Sequence, residues 1–239
     1  MNAIAPHIRY HADLVQGSDE WLAVRCGILT ASEMKLIVTP ETLKLASNDK
    51  ERAHLYELLA QRITRHVEPR FVNDDMLRGQ VDEMEARDLY AERYAPVQEM
   101  GFITNSRWGF TLGYSPDGLV GDDGLIECKS RRQRFQVQTI VENIHDDGGE
   151  TIPTDFGVQV QTGLLVSERK WLDFISYSGG LPMATIRVLP DPDVQAAILK
   201  AAAAFEERLH DKLTRYHAAL HSSARLIPTE RRVEMEMHL

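Results

Sequence analysis

Cysteine is nearly absent: two residues, Cys26 and Cys128, in a chain of 239. Two thiols cannot build a four-cysteine zinc site or hold an iron–sulfur cluster alone, and their scarcity suits reduced thiols in a cytoplasm rather than a disulfide framework. Cys128 reads as a small core residue. No apolar run approaches the ~20 residues that a membrane helix needs. The opening MNAIAPHIRYHADLV shows no basic-then-apolar signal pattern. Positive charge is also scarce. Lys and Arg number 27 against 36 Asp and Glu, a net charge of −9, so a nucleic-acid ligand would have to find a local basic surface. There is no internal repeat, low-complexity stretch or long linker. The length suits one large domain or two small ones. We read one domain over 1–239, with a core at about 17–190, a helix at about 191–220 and a mobile tail at 223–239.

What is present is a mixed pattern of helices and short strands. Ser18 caps a short helix over 18–24, and Thr30-Ala31-Ser32-Glu33 opens another through about residue 38. Residues 49–66 place Leu55, Leu58, Leu59 and Ile63 on one helical stripe. A further helix spans 74–94, with Gly79, Glu83, Ala86 and Tyr90 on one face and Leu77, Val81 and Met84 as an apolar stripe beside it. Residues 101–106 and 109–129 read as a β-meander. A helix near 155–167, alternating strands at 171–177 and 183–189, and a long helix capped by Asp191-Pro192 complete the chain. Helices flanking a mixed sheet make the class α/β or α+β.

The chemistry concentrates in the meander. Ser115-Pro116-Asp117-Gly118 and Glu127-Cys128-Lys129 flank the turn signal Gly121-Asp122-Asp123-Gly124. A hairpin there sets Asp117 opposite Glu127, and strand alternation puts Glu127 and Lys129 on one face with Cys128 on the other. Two carboxylates can hold a hard divalent cation, and an ammonium beside them can steady a developing phosphorane charge. Oxygen ligation favours Mg²⁺ or Mn²⁺ over zinc. The densest basic stretch follows directly, with Arg131, Arg132 and Arg134. Glu83 is a candidate third carboxylate and Gln159 a candidate water-orienting amide. Taken singly, each piece has an ordinary reading: a turn aspartate, a solvated strand face, one acid among many, an exposed glutamine.

In order along the chain, Trp21, Arg25, Thr30-Ala31-Ser32, Gly79-x-x-x-Glu83, Ser115-Pro116-Asp117-Gly118, Glu127-Cys128-Lys129 and Gln159-Val160-Gln161 resemble the phage lambda exonuclease type of alkaline exonuclease, the YqaJ-type viral recombinases, over about residues 17–175. The resemblance implies a restriction-endonuclease-like core of the PD-(D/E)xK kind. It implies a Mg²⁺-dependent 5′→3′ exonuclease on linear double-stranded DNA, with two ions and Mn²⁺ as a substitute. The products are 3′ overhangs for a single-strand annealing protein, the assembly is a homotrimer, and the setting is a phage or prophage in the bacterial cytoplasm. By position it makes Asp117, Glu127 and the Cys128 backbone carbonyl metal ligands, with Glu83 helping directly or through water. Lys129 becomes the catalytic lysine, Gln159 a residue of the catalytic centre, and Arg25 and Ser32 the pocket for a 5′ phosphate. The chain departs from the pattern at 39–44, where a lone Lys44 beside Glu41 replaces the Arg/Lys-rich segment that lambda exonuclease sends into DNA. Arg52, Arg78 or the 131–134 cluster are the candidates to compensate. The rival readings are a site-specific endonuclease or junction resolvase of the same fold, and a non-catalytic DNA-binding scaffold.

Overall fold

A computed structural model describes residues 5–69 and 74–231. Eight strands are β1 (Ile8–His11), β2 (Leu29–Thr30), β3 (Phe102–Asn105), β4 (Leu112–Tyr114), β5 (Gly118–Val120), β6 (Gly124–Ser130), β7 (Trp171–Tyr177) and β8 (Ala184–Val188). The α-helices are α1 (Asp19–Arg25), α2 (Asp49–Thr64), α3 (Asp74–Arg93), α4 (Gln133–Asn143), α5 (Thr154–Ser167) and α6 (Pro192–Leu220), with a 3₁₀ helix at Ala31–Leu36.

Several boundaries follow from local chemistry. The Ser18 side chain accepts the Trp21 N–H at the start of α1, and Asn48 accepts the Glu51 N–H at the start of α2. Asp191 accepts from the amides of Asp193 and Val194, and Pro192 occupies the first turn of α6, where no intrahelical N–H is required. The expected helix after Thr30 is a single 3₁₀ element, shorter than the reading to residue 38.

The strands form two four-stranded sheets, in the orders β1-β3-β4-β2 and β5-β6-β7-β8, rather than one central sheet. The meander is shared between them: β3 and β4 stay in the first sheet while β5 and β6 enter the second. Pairing is antiparallel except for β2 with β4 and β6 with β7. The parallel β6–β7 pair needs a long crossover, which α4 and α5 supply.

Alternation along β6 sorts the core. Leu125 joins the large cluster under α2, α5 and α6, while Ile126 and Cys128 face α3 in a smaller cluster with Ala86, Tyr90 and Ile175. Cys128 is fully buried, as its reading required. The Tyr90 hydroxyl donates to Asp173 at 2.6 Å, and Arg187 grips the same carboxylate with two N–H groups, fixing α3 on the sheet.

On α3 the face that carries Ala86 and Tyr90 is the one that packs, and the apolar stripe beside it does not. Leu77, Val81 and Met84 are 52%, 56% and 58% exposed, and nothing lies within 4 Å of a Cβ built on Gly79. Ala86 and Tyr90 pack into the core beneath the sheet, while Arg78 and Asp82 in the earlier turns meet β6 at the Ser130 hydroxyl. Of the tail read as mobile, residues 223–231 are exposed without helix or strand, and 232–239 lie outside the described residues.

Candidate active site

The hairpin that carries the site has the anticipated register. Gly118 pairs with Ile126 and Val120 with Gly124, so Asp117 stands across from Glu127. The Asp117 N–H donates to the Ile126 carbonyl at 3.3 Å, and there the ladder stops, because Pro116 has no N–H to give. The next amide on β6, Cys128 N–H, donates instead to Asp117 Oδ2 at 2.6 Å. A break in pairing thus aims a carboxylate along the strand edge.

Glu127 is 3% exposed and accepts three donors. Lys129 Nζ reaches Oε1 at 2.6 Å, Gln159 Nε2 from α5 reaches the same oxygen at 2.5 Å, and the Tyr114 hydroxyl reaches Oε2 at 2.7 Å. Tyr114 was not anticipated; its only sequence signal is its place directly before Ser115-Pro116-Asp117. Gly163 admits it, since an added Cβ on α5 would lie 2.7 Å from the tyrosine ring. Tyr114→Phe removes a donor from a buried carboxylate and is expected to cost about 1–3 kcal/mol of stability, read by urea denaturation.

The site is crowded with negative charge. Burial, then the Glu127 and Glu83 carboxylates, push Asp117 well above the usual carboxylate range. Burial also raises Glu83, with Lys129 opposing and Glu127 and Asp82 adding to the rise. Burial works against the Lys129 charge, but Glu127, Asp117 and Glu83 outweigh it and hold the ammonium above its ordinary pKa. The carboxylates therefore keep this lysine charged in alkaline solution.

The donors fit a hard divalent cation. Asp117, Glu83 and Glu127 offer carboxylate oxygens and Cys128 a strand carbonyl, while the Cys128 thiol is turned to the opposite face of β6 and buried in the smaller cluster. The raised Asp117 and Glu83 are the electrostatic mark of a place where a cation would relieve repulsion. Among the described residues, no three His, Cys, Asp or Glu side chains already close on one point; the Glu127 oxygens are taken up by Lys129, Gln159 and Tyr114.

Two cavities open beside these groups. One, of about 490 Å³, is bounded by Asp117, Glu83, Arg87, Met84, Gln16 and Gln80. The other, of about 390 Å³, shares Gln16 and Gln80 and continues to Trp21, Arg25, Thr30 and Glu33. Arg25 lies 4.0 Å over the Trp21 ring, and its NH2 donates to Thr30 Oγ1 at 3.5 Å. The Trp21 indole N–H in turn bonds Ser115 Oγ at 3.1 Å, tying α1 to the Asp117 loop. Ser32 is exposed, with its Oγ 3.4 Å from Thr30 Oγ1. Arg131, Arg132 and Arg134 line a separate cavity with Arg78, beyond the end of β6. The 39–44 segment closes on itself, with Thr39 N–H to the Lys44 carbonyl at 2.9 Å, and leaves Glu41 and Lys44 exposed.

Residues 20–170 match the model of the YqaJ-like viral recombinase domain. The chain belongs to that family. Two solved structures agree. The alkaline exonuclease LHK-Exo from Laribacter hongkongensis is 31% identical at a TM-score of 0.70, covering 85% of this chain and 100% of that one. LHK-Exo in complex with dAMP gives 32% identity and a TM-score of 0.71 over the same shares. A phage-related exonuclease from Haemophilus somnus 129PT shares the fold at 12% identity and a TM-score of 0.54, over 79% of this chain and 96% of that one. Among curated proteins none matches. The YqaJ-like family assignment makes the two sheets and their helices a restriction-endonuclease-like fold. No helix among the described residues is long and apolar enough to cross a membrane.

Proposed function

We propose that the protein is a divalent-metal-dependent exonuclease that degrades linear double-stranded DNA from its 5′ ends and leaves 3′ single strands. Family membership and the exonuclease relatives support a nuclease of this kind. The observation that carries the reading is the meeting of Asp117, Glu127 and Glu83 with Lys129 and Gln159 around one hairpin.

Asp117, Glu127 and the Cys128 carbonyl would hold Mg²⁺, or Mn²⁺ in its place, with Glu83 contributing directly or through water; the site has room in this reading for two ions. The ion supplies Lewis acidity toward the scissile phosphate. Lys129 places a fixed ammonium where negative charge builds on phosphorus. Gln159 holds Glu127 from the α5 side through its amide N–H, and in this reading its amide would also orient an attacking water. Arg25, kept planar against Trp21, suits the two-oxygen grip of a terminal phosphate, with Ser32 adding a neutral donor. The relative bound to dAMP, a nucleotide with a 5′ phosphate, agrees with such a pocket. One nuclease domain, a homotrimer and a strand-annealing protein partner belong to the same reading.

The test is a linear duplex labelled at one 5′ end, with or without a 5′ phosphate, in Mg²⁺ and in chelator. Covalently closed DNA runs alongside. Release of label only from linear DNA in Mg²⁺ is the expected result; nicking of the closed circle would make the enzyme an endonuclease instead. Arg25→Ala is expected to erase any preference for phosphorylated ends, by tenfold or more in kcat/KM, with 5′-hydroxyl ends little affected.

A further inference from the structure

Beyond Lys129, cations and rings alternate in space. Lys129 Nζ lies 5.8 Å from the Phe156 ring centre. The Arg131 guanidinium carbon lies 5.0 Å from the same ring and 5.2 Å from Phe135. Arg134 follows, 4.4 Å over Phe135. The order Lys129, Phe156, Arg131, Phe135, Arg134 therefore runs outward from the catalytic strand, with one ring from α5 and the other from α4. Both rings are partly exposed.

The outer end of this row opens into a cavity of about 660 Å³ bounded by Arg78, Asp82, Arg131, Arg132 and Arg134. Arg131 Nε is buried and has no hydrogen-bond partner. Burial lowers the Arg131 pKa, partly offset by Asp155. A partly buried guanidinium with one N–H short of an acceptor is a poor structural element and a good anion receptor. Asp82 accepts the Ser130 hydroxyl and lies 3.8 Å from Arg78, so it offsets that one charge, and Arg131 and Arg134 keep the wall positive. The wall is positive on a chain whose net charge is −9.

A duplex presents phosphates but keeps its base faces stacked inside. Partly exposed rings spaced between guanidinium groups match an unpaired strand, whose bases stack on rings while its phosphates meet the cations. We propose that the row from Lys129 to Arg134 is a track for single-stranded DNA, holding the strand freed as a duplex end is resected. The proposal rests on the nuclease reading of the site and adds to it a second, non-catalytic contact with the substrate.

The test uses the whole protein in chelator, where no cutting occurs, and a fluorescent oligothymidylate titrated by anisotropy at several salt concentrations. Arg131→Ala and Arg134→Ala should each weaken binding and lower the slope of log K against log salt by roughly 0.7, one phosphate contact on a single strand. Phe135→Leu should weaken it about fivefold to a hundredfold with the slope unchanged, and leave blunt-duplex affinity as it was. Circular dichroism checks that each variant is folded. Unchanged oligonucleotide affinity in Phe135→Leu, or equal losses on duplex and single strand in the arginine variants, would overturn the track. Mg²⁺-dependent digestion by the unmutated protein is scored in parallel: its absence sinks the nuclease reading alone, while the oligonucleotide result judges the track.

Discussion

Asp117→Asn is expected to abolish Mg²⁺-dependent digestion of linear duplex, and in chelator to make the fold more stable rather than less. The first half follows from removing the charge that faces Glu127 across the hairpin. The second follows from the direction of the Asp117 shift. Burial and two carboxylates raise its folded pKa above the unfolded value of about 3.9. A group raised in this way stabilises the fold below the unfolded pKa and loses that contribution as pH rises through the folded one. Above the unfolded pKa, burying Asp117 is therefore a cost that asparagine does not carry, whether the carboxyl holds its proton or gives it up, while the asparagine amide oxygen still accepts the Cys128 N–H. A gain of about 1–2 kcal/mol, or roughly 2–8 °C in Tm for a chain of this size, is the expected size. Mg²⁺ should raise the Tm of the unmutated protein and do much less for the variant. Thermal scans with and without chelator read both. A variant that still digests DNA at the unmutated rate would show that Asp117 is not at the reaction centre.

Lys129→Met is expected to lower kcat by about 10²- to 10⁴-fold while leaving duplex-end binding measurable. The methionine keeps the length of the stem and removes the ammonium that Glu127 holds at 2.6 Å. Raising the pH should not mimic this loss until well beyond the ordinary lysine value of about 10.4, because the surrounding carboxylates hold the Lys129 pKa higher still. The stability that Lys129 contributes is fully present below that ordinary value and fades as pH climbs through the raised one. A pH–rate profile compared between the two proteins separates the outcomes. An alkaline limb near pH 9 in the unmutated protein that disappears in Lys129→Met would contradict the raised value.

Much of the site could be read from the chain because its parts are local. A Gly-Asp-Asp-Gly turn between two short apolar runs can close in few ways, so the pairing of Asp117 with Glu127 follows from counting. The caps at Ser18 and Asp191 are equally local, and both appear as side-chain to amide bonds. What stayed illegible depends on contacts between distant segments. The four residues of β1 alternate Ile8 and Tyr10 with polar neighbours, a signal too short to decide by itself, and pair as a strand because β3 offers them a partner. Tyr114 is an ordinary strand residue until the gap left by Gly163 lets it reach Glu127. On α3, helical periodicity set Ala86 and Tyr90 on a face with small residues, and that face is buried at both, but it gave no sign that Leu77, Val81 and Met84 beside it would stay exposed.

The amino-acid order by itself determined most of the helices, the hairpin register and the placing of Lys129 beside Glu127, since each depends on residues a few positions apart. Only tertiary structure decided that Glu83 and Gln159, from distant helices, come to the same hairpin. Only it placed Trp21 and Arg25 at the rim and divided the strands between two sheets. The reason is physical: repulsion among buried carboxylates, and the hold of an ammonium, an amide and a phenol on one of them, arise from through-space distances that sequence separation does not encode.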